Sequence, residues 1–409
     1  MINYNLTNIH EKLSKNSNVF VLYGAGDIGE LAMYALEKLN IKVSYFCDSN
    51  KDKNGTKYFD VTVLSPDELY KLDRNINIFI SNNYISVLKN QLKEKNFFNI
   101  FDCNEILQNT IFPLDKKYLN LHPQNIDRRI AFYKNMCLKD AYLSNDRLVL
   151  KSIDIQITER CSLKCVNCSN LMQYYKNPKH SEMDLMFESI DRFMNSIDEI
   201  YEFRILGGDP FIHKELYKVV NKLKLYSKVH KIVVYTNGKI IPKGENLECL
   251  KDKRVIVDCS NYGEVSNKHD EIVKVLEANN VIYATTRTDK WQDCGRILPY
   301  QERTEEENKH LFNFCCNSDL ISLLHGKLYR CPFSANAVNI KAIPDDKDNF
   351  VDLLDKSLSI ENLRKKIKYL TFEKKFLTAC SYCNGRDYRT DPIPAAEQSK
   401  KPLEYNKIE

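Results

Sequence analysis

Three cysteines fall within eight residues of one another, in the segment Cys161-Ser-Leu-Lys-Cys165-Val-Asn-Cys168, directly after a predicted strand. Thiolates bind iron tightly, and a four-iron cluster offers four corners for ligands. Three thiolates leave one iron open, and an open iron can chelate a small molecule and pass it an electron. A structural zinc site is the alternative, but it needs a fourth ligand and usually contains a paired Cys-x-x-Cys. The Cys-x₃-Cys-x₂-Cys spacing therefore favours an iron–sulfur cluster.

Three polar motifs follow the next predicted strands in turn: Gly207-Gly208-Asp209-Pro210, Thr236-Asn237-Gly238 and Ser260-Asn261. Glycines let the backbone approach a ligand closely. A carboxylate at Asp209 could accept hydrogen bonds from an ammonium group. The polar side chains of the other two motifs suit ribose hydroxyls. Taken alone, Gly-Gly-Asp-Pro indicates only a turn.

In this order, the cysteine loop and the three motifs resemble the radical S-adenosylmethionine (SAM) superfamily over about residues 150–310. The resemblance implies a [4Fe–4S] cluster on the three cysteines, whose open iron binds SAM and whose electron cleaves it to a 5′-deoxyadenosyl radical. It also implies SAM contacts at Gly207, Gly208, Asp209, Pro210, Thr236, Asn237 and Ser260. Two positions depart from the family pattern: Asn167 stands where an aromatic residue is common, and Asp209 where Glu is usual.

A second set of cysteines lies near the C-terminus. Cys316, Gly326, Cys331 and the pair Cys380-Ser-Tyr-Cys383 resemble a twitch domain, the half-size form of the SPASM extension, over about residues 311–386. The resemblance implies an auxiliary [4Fe–4S] cluster on the four cysteines. Cys315 is adjacent to Cys316 and leaves the first ligand ambiguous, although Cys316 is favoured. A zinc ion on the same four sulfurs is the alternative.

The N-terminal region carries Gly24-x-Gly26-x-x-Gly29 between a strand and a helix, and Asp48 ends the next strand. Such glycines permit a tight turn, the helix N-terminus attracts phosphate, and the acid can bind a ribose hydroxyl. The region resembles small Rossmann-like domains of bacterial sugar and glycan assembly, which often bind nucleotide sugars. A domain used only for docking is the alternative.

Strands and helices alternate along most of the chain, which indicates an α/β fold. With the resemblances, the chain is interpreted as a Rossmann-like domain (1–118), a connector (119–150), a partial (β/α)₆ barrel (151–310), a small twitch domain (311–386) and a tail (387–409). The barrel strands are predicted at 153–157, 203–206, 231–235, 254–258 and 281–285.

The overall charge does not suggest a nucleic-acid partner, because 60 Lys and Arg against 55 Asp and Glu leave a net charge of +5. No apolar run approaches the roughly 18 residues of a membrane-spanning helix, and the polar N-terminus lacks the apolar core of a signal peptide. We therefore expect a cytoplasmic protein with no membrane partner. In that reducing compartment, clustered cysteines indicate metal or redox chemistry. Isolated cysteines are expected in the core: Cys47, Cys103, Cys137, Cys249 and Cys259.

Residues just beyond the fifth barrel strand are candidates for substrate chemistry. Trp291 could stack on a substrate, and Arg287 and Asp289 could hold a polar one. Cys294 fits neither cluster, and a thiol can return a hydrogen atom to a carbon radical, as an epimerase requires. Core packing or loop structure is the favoured explanation for Trp291 and Cys294, and a solvated loop would explain Arg287 and Asp289 equally well.

These expectations describe an enzyme that abstracts hydrogen from a polar small molecule, such as a sugar, a nucleotide sugar or a cyclitol. The outcome would be oxidation or epimerisation, with flavodoxin or ferredoxin as the reductant. A peptide-modifying maturase is the alternative enzyme, and an iron–sulfur sensor is the alternative without catalysis.

Overall fold

The structure, a computed structural model, describes residues 11, 13, 17–113, 119–121, 126–127, 129–130, 133, 148–315, 317–318, 320–387 and 390–408. The chain divides into two compact units, Met1–Ala141 and Tyr142–Glu409. The regions predicted as barrel, twitch domain and tail thus share one unit. Most of the predicted connector, with Cys137, lies outside the described residues.

The first unit is built on a six-stranded sheet of order β3-β4-β2-β1-β5-β6, parallel except for the β3–β4 pair. Its strands are β1 (Phe20–Tyr23), β2 (Tyr45–Cys47), β3 (Lys57–Tyr58), β4 (Val61–Leu64), β5 (Asn77–Ile80) and β6 (Ile100–Asp102), and its helices α1 (Asp27–Lys38), α2 (Pro66–Leu69), α3 (Ile85–Glu94) and α4 (Asn104–Asn109). The strand order reverses between β1 and β5, so the loops after these strands border the crevice where such sheets bind ligands.

The second unit is built on an eight-stranded sheet of order β11-β10-β9-β8-β7-β13-β14-β15. Its strands are β7 (Val149–Thr158), β8 (Glu199–Gly207), β9 (Val229–Thr236), β10 (Val255–Asn261), β11 (Tyr283–Arg287), β12 (Lys290–Trp291), β13 (Ile321–Leu324), β14 (Lys327–Tyr329), β15 (Phe350–Asp352) and β16 (Ile393–Pro394). Its helices are α5 (Met183–Ser196), α6 (Leu216–Lys224), α7 (Glu245–Glu248), α8 (His269–Ala278), α9 (Glu305–Phe314), α10 (Pro332–Asn339) and α11 (Ile360–Lys368). β12 and β16 pair with each other in a separate two-stranded ribbon.

Strands β7 to β11 are parallel, lie in chain order and are connected by α5 to α8. The α/β class is therefore confirmed. A sixth parallel strand, β13, pairs with β7 at the edge of this set opposite β11. The chain after β11 forms only the short β12 and an extended segment, and it returns to the sheet through α9.

The two faces of β7 show how the sheet positions the site. Ile153, Ile155 and Ile157 belong to the apolar core that includes Phe193 of α5. Because side chains alternate across a strand, Asp154 points to the opposite side and lines a cavity. The sheet therefore holds a packed core against the helices on one face and a polar interior on the other.

The last residues of the chain return to the barrel. Ile393–Pro394 pair with β12, and further along the backbone N–H of Leu403 donates to the carbonyl oxygen of Gln173 over 2.8 Å. Across the described ranges, no helix is both long enough and apolar enough to cross a membrane.

Candidate active site

A cavity of about 320 Å³ opens at the carboxyl ends of the barrel strands, and Cys161, Cys165 and Cys168 all line it. In the part of the chain that is described, no three Cys, His, Asp or Glu side chains are arranged to hold one metal ion. In a [4Fe–4S] cluster each thiolate binds a different iron, so the sulfurs need not converge on one point.

Neighbouring groups of the barrel donate hydrogen bonds to Cys161 and Cys168. The Sγ of Cys161 accepts from the backbone N–H of Leu163 and from Nδ2 of Asn237, each over 3.4 Å. Burial raises the pKa of Cys168, while backbone N–H groups of the turn that follows it favour the thiolate. Such donors stabilise the charged form that a metal requires.

Gly207 and Gly208, at the end of β8, allow that backbone to pack closely against the end of β7 and the start of the cysteine loop. A Cβ on Gly207 would lie 2.1 Å from the carbonyl oxygen of Thr158, and one on Gly208 would lie 1.9 Å from that of Arg160. Gly207 also has a φ of 136°. Both glycines line the cavity. The close approach that they permit is thus to the backbone that begins the cysteine loop.

Asp209 lies between the ends of two neighbouring strands. Its side chain is fully buried, its Oδ1 accepts from the N–H of Phe211 over 3.0 Å, and its Oδ2 accepts from Thr236 Oγ1 over 2.8 Å and from Asn237 N–H over 3.1 Å. The carboxylate therefore ties the end of β8 to the end of β9, and its role as an acceptor for the ammonium group of SAM stays a prediction. Pro210 is also buried, and it begins a short 3₁₀ turn instead of lining the cavity.

Thr236, Asn237 and Ser260 all line the cavity, and they come from the ends of β9 and β10. The Nδ2 of Asn237 lies 3.2 Å from the hydroxyl of Ser162, inside the cysteine loop. The parallel sheet brings these polar side chains together because the carboxyl ends of its strands share one edge. They stay proposed SAM contacts.

The sequence interpretation missed three polar side chains of the cavity: Asp154, Arg204 and Tyr235. Asp154 and Arg204 are cross-strand partners and form an ion pair, with their side chains 5% and 15% exposed. Burial raises the pKa of Asp154, an effect that the charge of Arg204 opposes. The ion pair joins Arg204 Nη2 to Asp154 Oδ1, whereas Arg204 Nε is buried without a hydrogen-bond partner. The available signal was the alternation of polar residues with Ile153, Ile155 and Ile157 along β7, which places Asp154 on the face opposite the core.

The residues beyond β11 separate into two groups. Trp291 and Cys294 line the cavity, and the Trp291 ring packs edge-on against Tyr262 with centroids 5.5 Å apart. Arg287 and Asp289 instead pair with each other over 2.7 Å, with side chains 58% and 65% exposed. Neither of them lines the cavity, so the idea that they hold a substrate there is corrected.

A second cavity lies among the C-terminal cysteines. Cys331, Cys380 and Cys383 line it together with Cys294 and Cys315. Cys316 lies outside the described residues. Burial raises the pKa of Cys331, Cys380 and Cys383 to about 12 in each case. Cys294 borders both cavities, which the sequence interpretation did not foresee.

In the first unit, the glycine loop joins β1 to α1. A Cβ on Gly24 would lie 2.5 Å from the carbonyl oxygen of Ser81, and one on Gly29 would lie 2.1 Å from that of Gly24, whereas one on Gly26 would meet nothing within 4 Å. Asp48 Oδ2 accepts from the N–H of Ala25 over 2.9 Å. The loop is therefore tightly built except beside Gly26, where there is room for a ligand.

The four remaining described cysteines expected in the core, Cys47, Cys103, Cys249 and Cys259, are all buried.

Comparisons with known proteins agree with this geometry. A model of a 4Fe-4S single cluster domain matches residues 155–282. The GTP 3′,8-cyclase of Staphylococcus epidermidis is 28% identical over 144 residues, covering 31% of this chain and 41% of that protein. The GTP 3′,8-cyclase of Helicobacter pylori strain 26695 is 29% identical over 198 residues, covering 44% of this chain and 60% of that protein. The matched part of the chain thus spans about two fifths of the length of the first of these relatives.

The cyclase relatives and the cluster-domain match support placing this chain in the radical SAM superfamily. Among solved structures, BtrN in complex with AdoMet and 2-DOIA is 15% identical with a TM-score of 0.40, covering 63% of this chain and all of that one. The anSMEcpe structure with bound AdoMet is 14% identical with a TM-score of 0.38, covering 63% of this chain and 93% of that one.

The cofactors of a radical SAM enzyme, a [4Fe–4S] cluster and SAM, fit this site. The cavity is lined by three thiols on one short loop, by Gly207 and Gly208 beside them, and by polar side chains at the ends of β9 and β10.

Proposed function

We propose that this radical SAM enzyme abstracts a hydrogen atom from a polar small molecule, such as a sugar, a nucleotide sugar or a cyclitol, and so oxidises or epimerises it. The observation that carries the proposal is the position of the Asp154–Arg204 pair in the same cavity as the three cysteines. Buried polar atoms without partners are rare and call for a ligand or ordered water, and Nε of Arg204 is one.

The residues of the cavity divide into two functions. Cys161, Cys165 and Cys168 would hold the cluster, and Thr236, Asn237 and Ser260 would orient SAM. Bound there, the cluster and SAM supply the 5′-deoxyadenosyl radical that abstracts hydrogen. Asp154, Arg204 and Tyr235 would bind substrate hydroxyl or amino groups, with Trp291 as an apolar wall. An iron–sulfur sensor would have no use for this polar part of the cavity.

The second cavity is proposed to hold an auxiliary [4Fe–4S] cluster, which would supply an electron acceptor for substrate oxidation. Its thiols are Cys331, Cys380 and Cys383, with Cys316 as the expected fourth ligand. Anaerobically reconstituted protein should then contain about eight irons, four for each cluster. Four irons and one zinc would refute this cluster and leave the radical SAM assignment intact.

The central test is SAM cleavage. Reduced wild-type protein should form 5′-deoxyadenosine, and the variant with Cys161, Cys165 and Cys168 all replaced by Ala should lose about four irons and all cleavage. Undiminished cleavage in that variant would overturn the proposal.

The substrate class is tested by deuterium transfer. The protein is incubated with carbon-deuterated sugars, nucleotide sugars and cyclitols, with deuterated peptides as the comparison. Deuterium in 5′-deoxyadenosine with a polyhydroxylated compound supports the proposal. Transfer from peptides alone would identify a maturase.

A further inference from the structure

The chain segment 393–399, here called the C-terminal strap, lies directly on the cysteine loop. The backbone N–H of Val166 donates to the carbonyl oxygen of Glu397, and the N–H of Ser399 donates to that of Lys164, each over 2.7 Å. Cys165 and Gln398 form an isolated antiparallel bridge. The strap therefore pairs with the loop as an added strand, although more than 200 residues separate the two in sequence.

Burial strengthens this contact. Ala396 of the strap is 2% exposed and packs in a small apolar cluster with Leu163 and Cys165, against which Trp291 also packs. The ribbon of β12 and β16 anchors the beginning of the strap beside Trp291. The strap is thus attached both to the cysteine loop and to the wall of the cavity.

The side chain of Gln398 reaches the middle cysteine. Its Oε1 accepts from the backbone N–H of Lys164 over 2.9 Å, and its Nε2 donates to the Sγ of Cys165 over 3.2 Å and to the carbonyl oxygen of Ala396 over 2.7 Å. Both ends of the amide are therefore used, which fixes its orientation.

The other two cysteines receive their hydrogen bonds from elsewhere. Asn237 donates to Cys161, and the turn that follows Cys168 donates to that residue. The donor from the tail is thus directed to Cys165. Hydrogen bonds to cluster sulfurs help set the reduction potential, because an N–H group stabilises the added negative charge of the reduced state.

We infer that the C-terminal strap is part of the radical centre: it shapes the cysteine loop, and Gln398 is a positioning residue that raises the reduction potential of the cluster through Cys165. This inference rests on the proposed cluster ligands but not on any substrate. Its prediction is that the Gln398→Leu variant retains the cluster and becomes harder to reduce.

The test is a redox titration of the reconstituted full-length chain, followed by electron paramagnetic resonance. Gln398→Leu removes all three side-chain hydrogen bonds of Gln398 at similar size. Ser399→Ala is the matched control, because it changes the same strap but keeps the backbone N–H that donates to Lys164. We expect the reduction equilibrium constant to fall several-fold to tenfold in Gln398→Leu, where tenfold is 59 mV for one electron. The Ser399→Ala potential should stay at the wild-type value. Equal potentials in all three proteins would overturn the role of Gln398.

A second measurement needs no cluster. Hydrogen–deuterium exchange of the iron-free proteins reports on the loop directly, and it decides the matter if Gln398→Leu fails to retain iron. We expect the Lys164 and Val166 amides to exchange at least about tenfold faster in Gln398→Leu than in Ser399→Ala, with α5 unchanged as an internal reference. Unchanged exchange of both amides would overturn the inference. The central test of SAM cleavage is separate, since it depends on Cys161, Cys165 and Cys168 and not on the strap.

Discussion

Asp154 on β7 and Arg204 on β8 are paired in register across the two strands, and their side chains form an ion pair inside the barrel. A buried pair is weak evidence for stability, because the cost of removing both charges from water offsets their attraction. Removing one partner leaves an uncompensated buried charge. A costly arrangement in the wall of a cavity is therefore more readily explained by substrate binding than by folding.

This explanation predicts how substitutions divide between stability and turnover. Arg204→Met should lower the free energy of unfolding by roughly 3–5 kcal/mol, and Asp154→Leu combined with Arg204→Met should restore most of it. The stabilised double variant should still cleave SAM but fail to process substrate. Urea unfolding and product analysis measure the two effects.

The exposed Arg287–Asp289 pair supplies the matched control, and Arg287→Ala should cost less than about 1 kcal/mol with turnover unchanged. A double variant that is stable and still turns over substrate normally would show that the buried pair is not a substrate site.

Asp209 gives a second prediction. Its carboxylate accepts three hydrogen bonds from Phe211, Thr236 and Asn237, and an amide group cannot accept on both sides. Asp209→Asn should therefore lower the free energy of unfolding by roughly 1–3 kcal/mol in protein free of both SAM and cluster. Denaturant unfolding of that protein is the measurement. If Asp209→Asn leaves the free energy of unfolding of that protein unchanged but weakens SAM binding by the loaded enzyme, Asp209 is a direct SAM ligand.

The contrast between these residues shows what the sequence could supply. The cysteine loop was predictable because its spacing is local and its chemistry is specific. The hydrogen bonds of Asp209 were not predictable, because two of its partners lie at the end of the next strand, which only the parallel sheet brings near. Asp154 and Arg204 did not stand out because other polar residues alternate with apolar ones along β7 and β8, and the sequence does not show that the two charges pair across the strands. The contact of Gln398 with Cys165 has no local signature at all.

The N-terminal loop provides a third prediction. Gly26 has an extended φ of −140°, and a Cβ there would contact nothing within 4 Å. Gly26→Val should therefore leave the unfolding free energy within about 1 kcal/mol of wild type, yet abolish the binding of a nucleotide sugar whose diphosphate lies against the loop. Isothermal calorimetry with a panel of nucleotide sugars measures the binding, and SAM cleavage should be unaffected.

Gly24→Ala is the contrasting variant. Its φ is +131° and its Cβ would lie 2.5 Å from the carbonyl oxygen of Ser81, so it should destabilise the first unit. If calorimetry detects no binding of any nucleotide sugar to the wild-type protein, the alternative that the N-terminal domain serves only for docking is favoured.

The last prediction separates a dehydrogenase from an epimerase, and Cys294 is the residue that decides. An epimerase returns a hydrogen atom to the substrate radical and needs a donor beside it, whereas a dehydrogenase needs an electron acceptor. Cys294 is buried and borders both cavities, and it lies close enough to Cys383 for their charges to interact. This position beside the proposed auxiliary cluster favours oxidation, because a thiol that packs between two sites need not act as a donor.

We therefore expect turnover in deuterated water to give a product oxidised by two electrons, with no solvent deuterium on carbon. Cys294→Ala should keep at least about half of that turnover, as should Cys249→Ala, which removes a buried thiol that lines neither cavity. Solvent deuterium on a product carbon that disappears in Cys294→Ala but persists in Cys249→Ala would instead establish Cys294 as the hydrogen donor of an epimerase.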